Sequence, residues 1–485
     1  MFSLRKTLKN SKTISIFTLL SRILGFVRDL LIASHLGASV YTDMFFIAFR
    51  IPNSLRRFLG EGAINSSVVP VLSKIEEKEK PKAIFNLIFY FCVVLLIITV
   101  LGIVASKLLM LLFAGGYINS PYSSTMNSLI KLIFPYLFFV GLYVLLMGIL
   151  NSYEHFAIPS FAPALLNVSL IAAVLLLLGK FKNPAYALVV GVLIGGVLQV
   201  LVSLIDFLSL RLPFRFSLKL EKSTKEIFSL TTLTALGSSA SQISSMVDSF
   251  VASFLQAGSF TYLFYANRLF QLPFAVFSIA ITQSSLPSLS KIEKEKIPSA
   301  VEVLLKFMLF LSIGVEIYFI VFADKIIEIL FMHGKFSLTD TLNTALALKI
   351  MMVSFIFYSF SKILNNAFYS LKDAKTPLRV SVISSIAAII SSLSLGFWLG
   401  FVGLAISTAI TGFINCIALL FYIPKKIGRI RLKMIIDRFI ALEFVLLAVL
   451  SIIAAGYRFG FIVVIPVYLA FLIYGIKRFL KEKTV

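Results

Sequence analysis

Charge is scarce in this chain. Of 485 residues only 14% are charged, against roughly 25% in an ordinary soluble domain. So little charge cannot keep a chain of this length in solution by itself. Cysteine is nearly absent too. Cys92 and Cys416 both fall inside apolar runs, which excludes a disulfide framework and marks them as inert packing residues. The three histidines, His35, His155 and His333, lie far apart without metal-ligand spacing. The chain contains no glycine-rich phosphate loop followed by lysine, no nucleotide-binding pattern and no catalytic triad motif. Its polar stretches are too short to hold an ATPase domain.

What is present in excess is apolar. Hydrophobic residues make up 59% of the chain, and the mean hydropathy is +0.99. A membrane span needs ~20 predominantly apolar residues. About fourteen such runs follow one another, over 13–36, 43–70, 84–112, 126–151, 160–179, 185–208, 227–256, 260–287, 299–323, 341–370, 377–399, 402–423, 436–456 and 460–480. A β-barrel would show shorter alternating segments instead. The expected fold class is therefore an all-α polytopic membrane protein. The first run has no small-residue cleavage site and carries Arg22 and Arg28, so it reads as a retained span rather than a signal peptide.

The formal net charge of +23 is explained by topology, not by nucleic acid. Lysine and arginine collect before span 1, in the 2–3, 6–7, 8–9, 10–11 and 12–13 connections, and after span 14. The opposite connections hold far fewer, among them Lys180, Lys182, Lys335 and Arg458. Positive residues mark cytoplasmic loops, so both termini are expected in the cytoplasm and the number of spans is even.

The chain also repeats itself. SSVVPVLSKIEEKEK (66–80) resembles SSLPSLSKIEKEK (284–296), DLLIASHL (29–36) resembles DSFVASFL (248–255), and AFRI (48–51) resembles ANRL (266–269). LFAGG (112–116) pairs with LFMHG (330–334), and Pro159 with Pro377, at a steady offset of 217–219 residues. Six spans per copy makes this a parallel repeat. The expected organisation is a six-helix lobe over 1–220, a second over 221–428, and two additional transmembrane helices over 429–485. Two-lobed parallel repeats of this kind rock about a central site.

One stretch carries charge where lipid would forbid it. Residues 21–61, within the first two spans and their connection, hold Arg22, Arg28, Asp29, Asp43, Arg50, Arg56, Arg57 and Glu61. A charge at the bilayer centre costs at least ~2.5–3.5 kcal/mol, so these groups must face one another, a cavity or an interface. The arginines outnumber the acids, which points to an anion. Arginine suits phosphate because its guanidinium stays charged and binds oxygens in a fork. Arg50 has a counterpart in Arg268, while Arg22, Arg28, Arg56 and Arg57 have no basic counterpart in the second copy. A salt-bridge ladder locking spans 1 and 2 is the plain alternative, most applicable to Asp29, Arg50 and Arg57. Pro52-Asn53 is expected to interrupt span 2 before the arginine pair. Asp248 stands alone in span 7, where an intramembrane carboxylate pairs with a base or a cation. Without a nucleotide site, uphill transport would draw on an ion gradient or the membrane potential.

The motifs SRILGFVRD (21–29), TD (42–43), AFRIPNSLRRFLGEGA (48–63), VPVLSK (69–74), YANRL (265–269) and LPSLSK (286–291), with the fourteen-span layout, resemble the MurJ/MviN family of the MOP exporter superfamily. That resemblance implies a lipid II flippase of the bacterial inner membrane, acting in peptidoglycan and cell-wall biogenesis by alternating access, and not an enzyme. It implies a V-shaped pair of lobes, a cationic central cavity and a groove formed with spans 13 and 14 for the lipid tail. The family's essential arginines fall on Arg22, Arg28, Arg56 and Arg268. Its important polar positions fall on Ser21, Asp29, Asp43, Asn53, Glu61 and Thr261. Some relatives bind sodium between spans 7, 11 and 12, and Asp248 and Thr408 match that pattern. Span 11 departs from it, with Ala388 and Ser392 where an amide and a carboxylate are expected. The expected partners are lipid II and the bilayer, with no nucleic acid; the protein is expected to act as a monomer, with the cell-wall synthesis machinery as a further partner. The rival readings are export of another polyprenyl-diphosphate-linked glycan, a membrane enzyme acting on lipid diphosphates, and a non-transporting scaffold of cell-wall synthesis.

Overall fold

The computed structural model describes residues 4–59, 63–431, 438–457 and 459–481. Among these residues the regular elements are helical, with no strand. An apolar chain in a bilayer must satisfy every backbone N–H and C=O internally, and helices do this within each span. The helices divide into two compact units, 1–258 and 259–485.

The first unit contains α1 (Leu4–Leu36), α2 (Val40–Leu59), α3 (Ala63–Ser73), α4 (Lys80–Val104), α5 (Ser106–Ala114), α6 (Ser123–Ile133), α7 (Tyr136–Ser152), α8 (Ala157–Leu177), α9 (Ala185–Ser209) and α10 (Lys222–Ala252). The second contains α11 (Ser259–Pro273), a π-helical turn over Phe274–Ile279, α12 (Ala280–Leu289), α13 (Ile297–Phe331), α14 (Leu338–Met352), α15 (Phe355–Ser370), α16 (Lys375–Leu399), α17 (Phe401–Lys426), α18 (Arg438–Ala455) and α19 (Gly460–Lys481).

Every expected span has a helical counterpart. Ten helical stretches among the described residues are long and apolar enough to cross a membrane, and the bent pair α14–α15 makes an eleventh. The remaining three expected spans fall on α1, α2–α3 and α10. They fall short of membrane-span hydropathy because they hold the arginines, aspartates and serine-threonine runs of the charged stretch and its repeat partner. Two local expectations change. The third span is divided at Ala105, where the backbone leaves helical geometry (φ −80°, ψ 12°) between α4 and α5. The interruption expected at Pro52 is not observed: α2 continues through it to Leu59. Proline forfeits one backbone bond but its fixed φ is helical, and membrane helices tolerate it where neighbours satisfy the freed carbonyl.

In the first unit, α8 and α9 form a close seam. Gly191 and Gly195 lie one turn apart on α9. A methyl group built on Gly195 would come within 2.8 Å of the Leu166 Cα, and one on Gly191 within 3.2 Å of the Leu170 Cα. Small residues at this spacing let helix backbones approach in lipid, where the hydrophobic effect does not drive association. The Ser169 hydroxyl donates across the seam to the Gly191 carbonyl at 2.8 Å. On its adjoining face α8 packs along α1. The sequence counterpart of α1 is α10, and it makes different contacts: within the first unit it packs against α2, α3 and α5.

The extended connection before α10 is tied to α4 by fully buried Asn86. Its amide nitrogen donates to the carbonyls of Ser217 (2.7 Å) and Lys219 (2.9 Å), and its oxygen accepts from the Thr224 hydroxyl at 2.9 Å. In the second unit, α18 and α19 pack on α13. The Phe310 ring stacks near Phe439, and Tyr318 donates to the Phe461 carbonyl at 3.2 Å. The two helices beyond the repeat are thus attached to the second unit.

Candidate substrate site

The charged stretch places Ser21, Gly25 and Arg28 at i, i+4 and i+7 along α1, which is one helix face. Asn167 of α8 lies opposite. Gly25 leaves room for it: a methyl group there would sit 3.4 Å from the Asn167 amide nitrogen. Asn167 Oδ1 accepts from Arg28 Nη1 at 2.9 Å, and its Nδ2 donates to the Ser21 carbonyl at 2.9 Å. The Ser21 hydroxyl is 3.5 Å from the same nitrogen. Arg28 Nε and Nη2 donate to Asp29 Oδ1 at 3.0 and 2.6 Å. Arg28, Asp29 and Asn167 are only 6%, 1% and 7% exposed.

This arrangement makes a buried guanidinium tolerable. Burying a charge requires a counter-charge and filled hydrogen-bonding positions. Asp29 supplies the first and Asn167 helps supply the second. The guanidinium is therefore held by protein in this structure, and an incoming anion would compete with Asp29 and Asn167 for it. Hydrogen bonds to charged groups contribute ~1.5–3 kcal/mol each, an amount that a doubly charged ligand can replace.

Asp43 and Arg50 sit seven residues apart on α2, and both meet the α10 region. Asp43 is 2% exposed, and its Oδ2 accepts from the Gly258 backbone N–H at 2.7 Å. Gly258 has φ +94°, a left-handed conformation that glycine adopts without steric cost. Arg50 Nη1 donates to the Ser249 hydroxyl at 3.0 Å. Asp248, the preceding residue of α10, is half-buried. Thr42 shapes the turn into α2, its hydroxyl donating to the Gly37 carbonyl at 2.8 Å. Backbone and hydroxyl groups of the α10 region are thus among the partners of this charged face.

The other expected residues are more accessible. Arg22 is exposed on α1 and makes no ion pair among the described residues. Asn53 and Arg56 are half-buried, three residues apart on α2. Glu61 lies outside the described residues, as does the side chain of Arg57.

In the second unit, Thr261 and Arg268 lie seven residues apart on α11 and so share a face. Thr261 is fully buried. Arg268 is half-buried, with its guanidinium 5.2 Å from the centre of the Phe264 ring, a cation–π arrangement.

Ser392 and Thr408 belong to the α16–α17 pair. The Ser392 hydroxyl lies 2.8 Å from that of Ser407, which is 2.6 Å from the Ser391 hydroxyl. Thr408 donates back to the Leu404 carbonyl at 3.1 Å. This helix pair therefore brings together a small cluster of neutral hydroxyl oxygens bonded to one another. Among the described residues no three His, Cys, Asp or Glu side chains converge.

The sequence reading missed Asn167, Ser249 and Gly258. Asn167 carried a signal, because an amide within the apolar run of span 5 must find a polar partner. What the sequence lacked was the pairing of α8 with α1, which selects that partner.

Comparison with known proteins agrees with this architecture. The family model described as "Lipid II flippase MurJ" matches residues 32–473. A probable lipid II flippase MurJ of Buchnera aphidicola subsp. Acyrthosiphon pisum is 33% identical over 430 residues, covering 85% of this chain and 83% of the relative. The lipid II flippase MurJ of Burkholderia cenocepacia is 32% identical over 433 residues, covering 85% and 83%. Among solved structures, a lipid II flippase MurJ in an inward closed conformation superposes with a TM-score of 0.80 at 27% identity, covering 95% of this chain and 97% of that one. A MATE-family multidrug transporter of the MOP superfamily shares the fold at a TM-score of 0.65 and 16% identity, covering 84% and 94%. With a family match spanning most of its length, the chain belongs to the lipid II flippase MurJ family.

Proposed function

We propose that this protein is a transporter that moves lipid II from the cytoplasmic to the outer leaflet by alternating access, with no covalent chemistry of its own. The observation that carries the reading to particular residues is the buried Arg28, held by Asp29 of α1 and Asn167 of α8. A substrate diphosphate offers oxygens that can take over these bonds, so Arg28 can exchange protein partners for substrate without losing compensation of its charge. Arg22, Arg56 and Arg268 are the further substrate-binding cations in this reading, with Ser21, Asp29, Asp43, Asn53, Glu61 and Thr261 as polar partners. Net transport requires that substrate bind the two access states differently, and a switch between protein-held and substrate-held arginine supplies such a difference. The loop charges support placing both termini in the cytoplasm of a bacterium's inner membrane.

Translocation of fluorescent lipid II in proteoliposomes containing the purified protein tests the proposal directly. Wild type should translocate lipid II, and Arg28→Ala should not while reconstituting to the same level. Absence of translocation by well-reconstituted wild-type protein would overturn the activity.

A further inference from the structure

A cavity of about 570 Å³ opens where the α15–α16 connection meets the start of α16 and the end of α17 in the second unit. Its lining includes Lys294, Lys372, Lys375, Arg379 and Lys426, which come from three separate connections or helix ends, and a single acid, Asp373. The acid is already engaged. Asp373 Oδ1 accepts from the Thr376 backbone N–H at 3.0 Å, and its Oδ2 accepts from the Thr376 hydroxyl at 2.7 Å. Burial opposes its charge, but the bonds from Thr376 and the nearby Lys426 outweigh this and hold its carboxyl below the usual range. Asp373 thus stands at the start of α16 as a carboxylate, one negative charge against the five basic side chains of the lining. Among the described residues, none of Lys294, Lys372, Lys375 and Arg379 makes a side-chain ion pair.

The backbone helps to form the cavity. Lys372 is one of only three non-glycine residues with positive φ among the described residues, at +60°. That turn reverses the chain between α15 and α16. Phe368 and Leu371 supply the apolar part of the lining. Exposed apolar and aromatic side chains neighbour the lining residues along the chain. Tyr369, Leu378 and Phe421 are exposed, and Lys425 lies 4.1 Å from the centre of the Phe421 ring. Aromatic rings and lysines of this kind concentrate at the membrane–water interface.

We propose that this pocket is a second anion site, distinct from the arginines of the transport reading, and that it binds the phosphate of an anionic phospholipid headgroup. A phosphodiester offers oxygens to several basic groups at once, and its acyl chains can follow the exposed apolar flanks of α15 and α17. Basic pockets at the cytoplasmic ends of transmembrane helices bind lipid headgroups in this way. The assignment to the inner leaflet rests on the proposed orientation, whereas the binding itself does not depend on orientation or on which substrate crosses.

The test is native mass spectrometry of the purified full chain in detergent, titrated with phosphatidylglycerol, with zwitterionic phosphatidylethanolamine as the lipid control and inorganic phosphate as the soluble arm. The pocket variant is Lys372→Gln/Arg379→Gln/Lys426→Gln. The control removes as much charge elsewhere: Lys74→Gln/Lys78→Gln/Lys219→Gln. The expected result is retention of one phosphatidylglycerol by wild type and control, with binding about tenfold or more weaker in the pocket variant. Inorganic phosphate should not displace the lipid. Equal weakening in both variants would overturn the site in favour of diffuse surface charge, and displacement by inorganic phosphate would overturn the lipid as its occupant. Should the triple variant not fold, Arg379→Gln alone decides, since that side chain is exposed. Weakening of about threefold supports the site, and unchanged binding overturns it.

Discussion

Asn167 of α8 holds Arg28 of α1 at 2.9 Å while reaching back along the same helix to the Ser21 carbonyl at 2.9 Å. One side chain thereby spans seven residues of α1 and ties the helix that carries Arg22 and Arg28 to its neighbour. Asn167→Ala should destabilise the protein by about 1.5–3 kcal/mol, the usual contribution of a hydrogen bond to a charged group. The loss should be strongly coupled to Arg28→Ala, because residues sharing a network show interaction energies of ~0.5–3 kcal/mol. Reversible unfolding of the two single variants and the double variant in mixed micelles measures both quantities. Additive effects would show that the bond contributes nothing beyond its two ends.

Arg28→Lys separates charge from geometry. The guanidinium engages Asp29 through Nε and Nη2 and Asn167 through Nη1. An ammonium keeps the charge but not the planar fork. The variant should reach the membrane at near-normal levels and fail to support growth of a flippase-depleted strain. Full complementation would mean that only charge matters at this position.

How much of this was legible beforehand differs by level. The spans were readable because hydropathy reports burial in lipid directly, and α18 and α19 fall where the last two apolar runs stand. The internal likeness of motifs such as 66–80 and 284–296 is a property of the sequence itself. Partner choice was not legible there. Arg50 and Arg57 follow Asp43 at helical spacing, but nothing in that spacing names Gly258, whose N–H the Asp43 carboxylate accepts. Periodicity identifies which residues share a face, but not which element will cover it. Pro52 misled for a related reason, since a proline in lipid breaks a helix only if the freed carbonyl finds no other partner.

Asp43→Asn and Asp43→Ala should therefore behave differently. Asparagine keeps an oxygen able to accept from Gly258, whereas alanine leaves that buried N–H without its partner, at about 1–3 kcal/mol. Asp43→Asn should accumulate normally and Asp43→Ala poorly, as read by in-gel quantification of membrane fractions. Normal accumulation of Asp43→Ala would show that the carboxylate serves ligand binding alone.

Topology is tested by single cysteines introduced into a Cys92→Ala/Cys416→Ala background. In intact cells a membrane-impermeant maleimide should label position 119 and leave positions 78 and 294 unlabelled until the membrane is opened. The motive is the concentration of lysine and arginine in the connections that contain 78 and 294. Labelling of position 78 in intact cells would reverse the orientation.

The last prediction concerns a residue that touches neither substrate nor charge. Gly195 of α9 lies against α8, where an added methyl would come within 2.4 Å of the Ser169 hydroxyl and 2.8 Å of the Leu166 Cα. A Cβ cannot remain that close to backbone, so Gly195→Ala must push α8 away from α9. Leu166, Ser169, Leu170 and Ala173 form the α8 face on that seam, and Asn167 stands about 100° around the helix from Leu166, towards α1. A displacement of α8 shifts Asn167 relative to Arg28, and hydrogen bonds weaken steeply as distance and angle depart from ideal. Gly195→Ala should accordingly lower lipid II translocation in proteoliposomes by severalfold and reduce the coupling between Arg28 and Asn167. Gly179→Ala provides the control, because a methyl there meets nothing within 4 Å, and it should leave transport unchanged. Equal transport by the two variants would mean that the α8–α9 seam has slack that the structure does not display, and that the position of Asn167 is set by α1 alone.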